Sequence, residues 1–499
     1  MKKTLTILLA TISLFFIGTT NIVLADKLQE GLFSYKTGEY VTAYKLLLPL
    51  ATDGNPVAQV ILGTLHEKGK GVSQDFGKAA KWYRLSADQG YALSQYLLGN
   101  MLYLGQGIEQ DYFEAFELFK LSADQGLKDA QYNLGVMYYL GQGVEQNYNE
   151  AFKNYQVLAL QGHAKARYNL GLMYYHGQGV KQDDKEAIKW FQVSSDQGLA
   201  IARYNLAHMY DQGKGVLQDC SKAFDLYQLS AEQGNGLAQS NLGLMYVIGK
   251  TVLKNYKEAV TWFRLAAEQG NKEGQSNLGT MYEKGQGVKQ DFKKAIKWYK
   301  LSAEQGFKDG QSNLGLMYER GKGVQQDFKE AVKWFELSAK QGLEDAQLNL
   351  GIMHKKGRGV PQDYGEALKW FRISADKGFA LGQYNLGVMH EKGQGVPQSY
   401  KDAFKWYQLS ADQGYKEAQR SLGLLYAAGK IDSKNYVLAY MWFNMASDQG
   451  DQSASQNKSR LEKKMTEAQI RKANQMMVSK NQKINSPKNP KPCTHLKSF

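Results

Sequence analysis

A metal centre, a phosphate-binding loop and an activated nucleophile each need particular side chains at particular spacings. A chain of 499 residues with seven His, two Cys and 51 Gly holds material for all three. None assembles. His163, His176, His208 and His495 are scattered, with no HExxH and no paired metal spacing. His66, His354 and His390 replace Tyr in a recurring column and read as packed ring substitutes. Gly249-Lys250-Thr251 imitates the end of a phosphate loop, but that motif needs Gly where Leu244 stands, and a strand before it. The recurrent Gly-x-Gly lacks the third glycine of a dinucleotide site, since Gln146 occupies that place in Gly141-Gln142-Gly143. Cys220 and Cys493 lie 273 residues apart in unlike surroundings, so no disulfide framework or zinc pattern is expected, and stability must come from packing. No catalytic residue, cofactor or metal is expected.

Two columns are better candidates for binding than for chemistry. Asn133, Asn169, Asn205, Asn241, Asn277, Asn313, Asn349 and Asn385 read either as a clamp on a peptide backbone or as bonds to the backbone of a neighbouring element. The second reading is favoured because the feature is so widely shared. A more selective feature is aromatic. Tyr132, Val136 and Tyr139 fall at i, i+4 and i+7, as do Tyr168, Leu172 and Tyr175, and Tyr96 with Tyr103 begins the same pattern earlier. The corresponding residues Ser276, Thr280 and Glu283 carry no ring. Tyr96, Tyr103, Tyr132, Tyr139, Tyr168, Tyr175, Tyr204 and His208 are therefore expected to be an exposed contact surface for a protein or peptide, because Tyr supplies large, rigid, amphipathic area. Packing between adjacent helices is the competing reading of the same rings.

The elements that position these residues repeat. Twelve glycines from Gly54 to Gly450 are spaced 36 apart without a slip and delimit eleven units, residues 55–450. In the third unit Ala130, Leu134, Met137 and Tyr138 form one apolar stripe of a first helix, which ends at Gly141 because Gly accepts the left-handed conformation. A short polar residue such as Asp111, Asn147 or Ser399 then caps a second helix in every unit. That helix carries an invariant Ala, from Ala79 to Ala439, and then an aromatic pair such as Trp334-Phe335. The pattern predicts an all-α fold.

On these motifs the chain resembles the Sel-one-like repeats, relatives of the tetratricopeptide repeats. The family pattern matches Ala346, Leu350-Gly351, Met353-His354, Gly357-Arg358-Gly359-Val360, Ala367, Trp370-Phe371, Ala375 and Gly378. Thr251 and Ile431 depart from it at the second loop glycine, and Leu118, Asn154 and Leu226 depart at the Trp. The resemblance implies a right-handed α/α solenoid superhelix of eleven helix-turn-helix repeats with terminal caps, with the tyrosine face lining a concave groove. It also implies an adaptor or scaffold for protein partners, often in exported proteins of bacteria that contact host cells. Relatives credited with β-lactam chemistry carry a Cys pair in each repeat, and those pairs are missing.

The ends complete the expectation. Lys2 and Lys3, an apolar run from Leu5 to Ile17 and Val23-Leu24-Ala25 read as a cleaved signal peptide over residues 1–25, hence a periplasmic or secreted protein with no stable membrane insertion. Residues 26–54 read as a capping helix pair, 451–479 as a closing helical region with Thr466 as an N-cap, and 480–499 as a disordered basic tail. Of the formal charge of +14, residues 451–499 carry +8 (11 Lys/Arg against 3 Asp/Glu) and Lys2 and Lys3 a further +2. The remaining +4 is too dilute for a phosphate-binding stripe, so no nucleic acid is expected as partner. The main expectation is a non-enzymatic interaction scaffold; the competing one is a cell-wall factor that binds peptidoglycan or regulates its turnover.

Overall fold

The protein is described by a computed structural model that covers residues 19–484 and 492–494. Residues 1–18 of the expected signal peptide lie outside the described residues. Among those described, every regular element is a helix, and the chain divides into two compact units, Met1–Leu206 and Ala207–Phe499.

Each 36-residue repeat is a pair of short helices, A and B. In the third repeat helix A is Lys128–Leu140 and helix B is Tyr148–Leu160. The expected stripe on helix A is the buried one: Ala130, Leu134 and Met137 are all buried. Helix A stops at Gly141, whose φ of 69° is left-handed and whose N–H donates to the Met137 carbonyl at 2.9 Å. Helix B starts at Asn147, whose Oδ1 accepts from the Glu150 amide at 3.1 Å.

Two glycines show why the motif recurs. Gly143 has φ of 69°, and a Cβ there would lie 2.0 Å from the Tyr112 carbonyl oxygen, at the start of helix B in the preceding repeat. Where this glycine is present the loop rests on the preceding helix pair, as Gly107, Gly179, Gly287 and Gly359 repeat. Gly135, beside the core Leu134, leaves room for the Tyr155 ring, which a Cβ would meet at 2.6 Å. The Leu-Gly pair is therefore a socket for the buried second ring of helix B.

Polar contacts run along the stack as well. Ser122 Oγ donates to the Ala92 carbonyl at 2.7 Å, and Ser302, Ser338 and Ser410 repeat the bond. Gln125 Nε2 donates to Gln95 Oε1 at 2.9 Å, and the same pairing recurs between Gln305 and Gln275 and between Gln341 and Gln311. These part-buried bonds help to fix the register between helix pairs, each contributing about 0.5–1.5 kcal/mol.

Helices Thr19–Thr37 and Tyr40–Thr52 precede the repeats, the first of them starting within the expected signal segment. Helices Gln452–Glu462 and Glu467–Ile484 follow the repeats. Thr466 caps the last helix in a reciprocal box with Gln469, whose amide donates to Thr466 Oγ1 at 3.3 Å while Gln469 Oε1 accepts from the Thr466 amide at 2.9 Å. Where a disordered tail was expected over 480–499, the helix continues to Ile484, and residues 485–491 and 495–499 lie outside the described residues. Lys480 Nζ itself lies 2.6 Å from Asp412 and over the Trp442 ring.

Candidate interaction face

In the first unit the second stripe of helix A lies over the buried rings of helix B. The Tyr132 ring centroid is 5.8 Å from that of buried Tyr155, Tyr168 is 5.8 Å from Phe191, and Tyr96 is 6.0 Å from Phe119. One position along, Tyr103 meets Tyr112 edge-on at 5.2 Å, and Tyr139 meets Tyr148 at 5.3 Å. Tyr175 sits edge-on to His176 at 4.9 Å. All six rings are half-buried, as are Tyr204 and, in the second unit, His208. Burial pushes the phenols of Tyr96, Tyr103, Tyr132 and Tyr168 above the usual tyrosine range.

The expectation of a freely exposed face therefore needs correction. Tyr96, Tyr103, Tyr132, Tyr139 and Tyr168 are only partly exposed and pack against a ring of helix B, and several hydroxyls are tied to the next repeat. Tyr103 OH donates to Gln142 Oε1 and Tyr139 OH to Gln178 Oε1, both at 2.7 Å. Asn169 Nδ2 donates to Tyr132 OH at 3.2 Å and Asn205 Nδ2 to Tyr168 OH at 3.1 Å. The asparagines are corrected at the same time. In these repeats they bond a side chain of the preceding repeat, not its backbone, and Asn133 does so through Asn100 Oδ1 at 2.9 Å. The result is a row of held aromatic edges, each presented with little side-chain freedom left to lose on binding.

Variation within this face has a physical cause that the sequence reading missed. Where the buried ring of helix B is Tyr, its hydroxyl needs a partner, and four of those five repeats place a carboxylate one turn along helix A. Tyr83 OH donates to Glu67 at 2.6 Å, Tyr299 OH to Glu283 at 2.9 Å and Tyr407 OH to Glu391 at 2.6 Å. The signal was present in the sequence as a covariation between two columns of the repeat.

The fifth repeat holds the largest surprise. Cys220 and Cys493 form a disulfide with a Cα separation of 5.6 Å, where no pairing was expected. Their distance in sequence hid the bond, since nothing local places residue 493 near the start of a helix B. Among the described residues no group of three or more His, Cys, Asp or Glu is arranged to hold a metal, and no helix is long and apolar enough to cross a membrane.

Comparison with known proteins places this geometry. A sequence model of the Sel1 repeat matches eleven times in succession, from residues 56–91 to residues 416–451. The crystal structure of c5321, described as a protective antigen of uropathogenic Escherichia coli strains with an SLR fold, is 35% identical, with a TM-score of 0.72 over 88% of this chain and 94% of that one. A Sel1 repeat protein from Oxalobacter formigenes is 33% identical over 62% of this chain and 90% of its own, with a TM-score of 0.46. No curated protein matches the chain.

Proposed function

Because the chain belongs to the Sel1 repeat family, whose helical solenoids typically serve as scaffolds for protein–protein contacts, we propose that it is a non-enzymatic adaptor that binds a protein or peptide in its concave groove. The observation that carries this reading is the row of supported tyrosine edges on helix A of repeats 2 to 4. Their equivalents in repeats 7 and 8 are Ser276, Glu283, Ser312 and Glu319, so the repeat itself does not demand the rings. Aromatic edges held over a buried ring suit a hot spot, because they bury area without first being ordered.

An export reading accompanies it. The apolar run from Leu5 to Ile17 after two lysines supports a secretory signal, and the Cys220–Cys493 disulfide supports an oxidising compartment such as the periplasm or the exterior. The protective-antigen description of the Escherichia coli relative supports contact with a host. The test is capture from an envelope extract by the immobilised chain, run beside binding to purified sacculi. Recovery of a discrete protein partner is expected. Retention by sacculi with no protein captured would overturn the adaptor reading in favour of a cell-wall factor.

A further inference from the structure

Repeat 5 departs from its neighbours at several columns, and the departures converge on one place in the second unit. Asp211 stands on helix A where four other repeats carry Glu, one methylene longer. Ala207 replaces the glycine that elsewhere leaves room for the helix-B ring. The consequence shows in the hydroxyl of that ring. Tyr227 OH stands 3.4 Å from Asp211 Oδ2, against 2.6–2.9 Å for the Tyr–Glu pairs of repeats 1, 7 and 10. The Asp211 side chain, which is fully buried, is thus poorly served by its own repeat.

Its donors come from the other end of the chain. The amides of Cys493 and Thr494 both donate to Asp211 Oδ1, the latter at 3.1 Å, and Thr494 Oγ1 donates to Oδ2 at 2.6 Å. A buried carboxylate needs such donors, and two consecutive amides with one hydroxyl, brought to one side by the turn at 493–494, are a grip that a Ser- or Thr-bearing turn can supply. Beside it Cys220 stands at the first position of helix B, a column that is Phe or Tyr in nine of eleven repeats. The flanking loops carry Leu217 and Leu253, 89% and 91% exposed, where the other repeats have Ser, Glu, Lys, Gln or Pro. Thr251, in the second of those loops, takes the place of the glycine that elsewhere rests on the preceding helix B.

We propose that Asp211 and Cys220 form a binding site for a hydroxyl-bearing peptide turn, that the chain's own Cys493-Thr494 is its resident occupant, and that thiol–disulfide exchange vacates it. The proposal rests on the adaptor reading but concerns residues of repeat 5, where Asp211 takes the column that holds Tyr103, Tyr139 and Tyr175 in repeats 2 to 4. The exchange partner is a dithiol. Its thiolate attacks one sulfur of the Cys220–Cys493 bond, that bond breaks, and the second thiolate resolves the mixed disulfide. Two electrons pass from the dithiol, which ends as a disulfide, and Cys220 and Cys493 each leave as a thiol with one proton. The freed Asp211 carboxylate is then open to another chain's amides and hydroxyl.

The test uses the full chain and a fluorescein-labelled peptide of residues 490–497 carrying Cys493→Ser, followed by anisotropy. Oxidised wild type is expected to bind the peptide at least tenfold more weakly than the same protein reduced. A Cys493→Ser chain should bind without any reductant, because only the tail is altered and the repeats are untouched. Asp211→Ala should abolish binding, and the same peptide with Thr494→Val should bind at least fivefold more weakly, which guards against misfolding of the Asp211 variant. Equal binding to oxidised and reduced protein, undiminished binding of the Thr494→Val peptide, or a non-reducing digest that links Cys493 between two chains would overturn the proposal. These results leave the envelope-capture outcome untouched, so failure here is distinct from failure of the adaptor reading.

Discussion

At the scale of single residues, the same residue type carries different loads. Gly126 and Gly143 both have positive φ, but nothing lies within 4 Å of a Cβ at Gly126, whereas at Gly143 the Tyr112 carbonyl would be struck. Gly126→Ala should therefore cost about 1–2 kcal/mol from the left-handed backbone alone. Gly143→Ala should cost clearly more, because the loop must also lift off the preceding repeat; chemical denaturation of the two variants compares them directly. The histidines add a pH dependence. Burial is the main cause holding the imidazoles of His66 and His390 below the usual histidine range. The folded state thus resists protonating them, so stability is whole above about pH 6.5 and falls as the pH drops below it. His390→Tyr restores the ring found in most repeats at that column and should flatten the decline in Tm between pH 7 and pH 5.

At the scale of the helix, periodicity made most of the architecture legible. The 36-residue spacing, the caps at Asp111 and Asn147 and the Leu-Gly pair each report a local constraint, and local constraints are what sequence displays best. Leu134→Ala should cost roughly 2–5 kcal/mol through lost burial and a cavity. The tyrosine stripe was only half legible. Its absence from repeats 7 and 8 showed that the fold does not need it, but that comparison concealed the compensation at each site. Those repeats fill the same column with Glu, and repeat 7 gives the carboxylate to its own Tyr299. Replacing Tyr132, Tyr139, Tyr168 and Tyr175 together by Ser removes half-buried rings and their bonds to Asn169, Asn205 and Gln178, so the thermal midpoint should fall. Tyr139→Glu with Tyr175→Glu is the gentler change. It gives Tyr155 the partner that Tyr299 has in Glu283, and it pairs Phe191 with Glu as repeat 8 pairs Phe335 with Glu319, so stability should change by no more than about 1 kcal/mol.

At the scale of the whole molecule, the sequence is informative about what repeats and silent about what happens once. The pairing of Cys220 with Cys493 spans 273 residues and has no counterpart in any other repeat, so no column announces it. In a solenoid whose helix pairs contact mainly their neighbours, a bond of this span ties repeat 5 to the segment that follows the last repeat and closes repeats 6 to 11 into one covalent loop. Reduction should accordingly lower and broaden the thermal transition, and Cys220→Ser should reproduce the effect without reductant; calorimetry reads both. The central claim, that a scaffold presents tyrosine edges it does not need for folding, is tested most directly by measuring how much envelope partner is retained by immobilised wild type and by the Tyr139→Glu, Tyr175→Glu chain. The account predicts at least a tenfold loss of retained partner with a thermal midpoint within a few degrees of wild type. Full retention by the variant would contradict it.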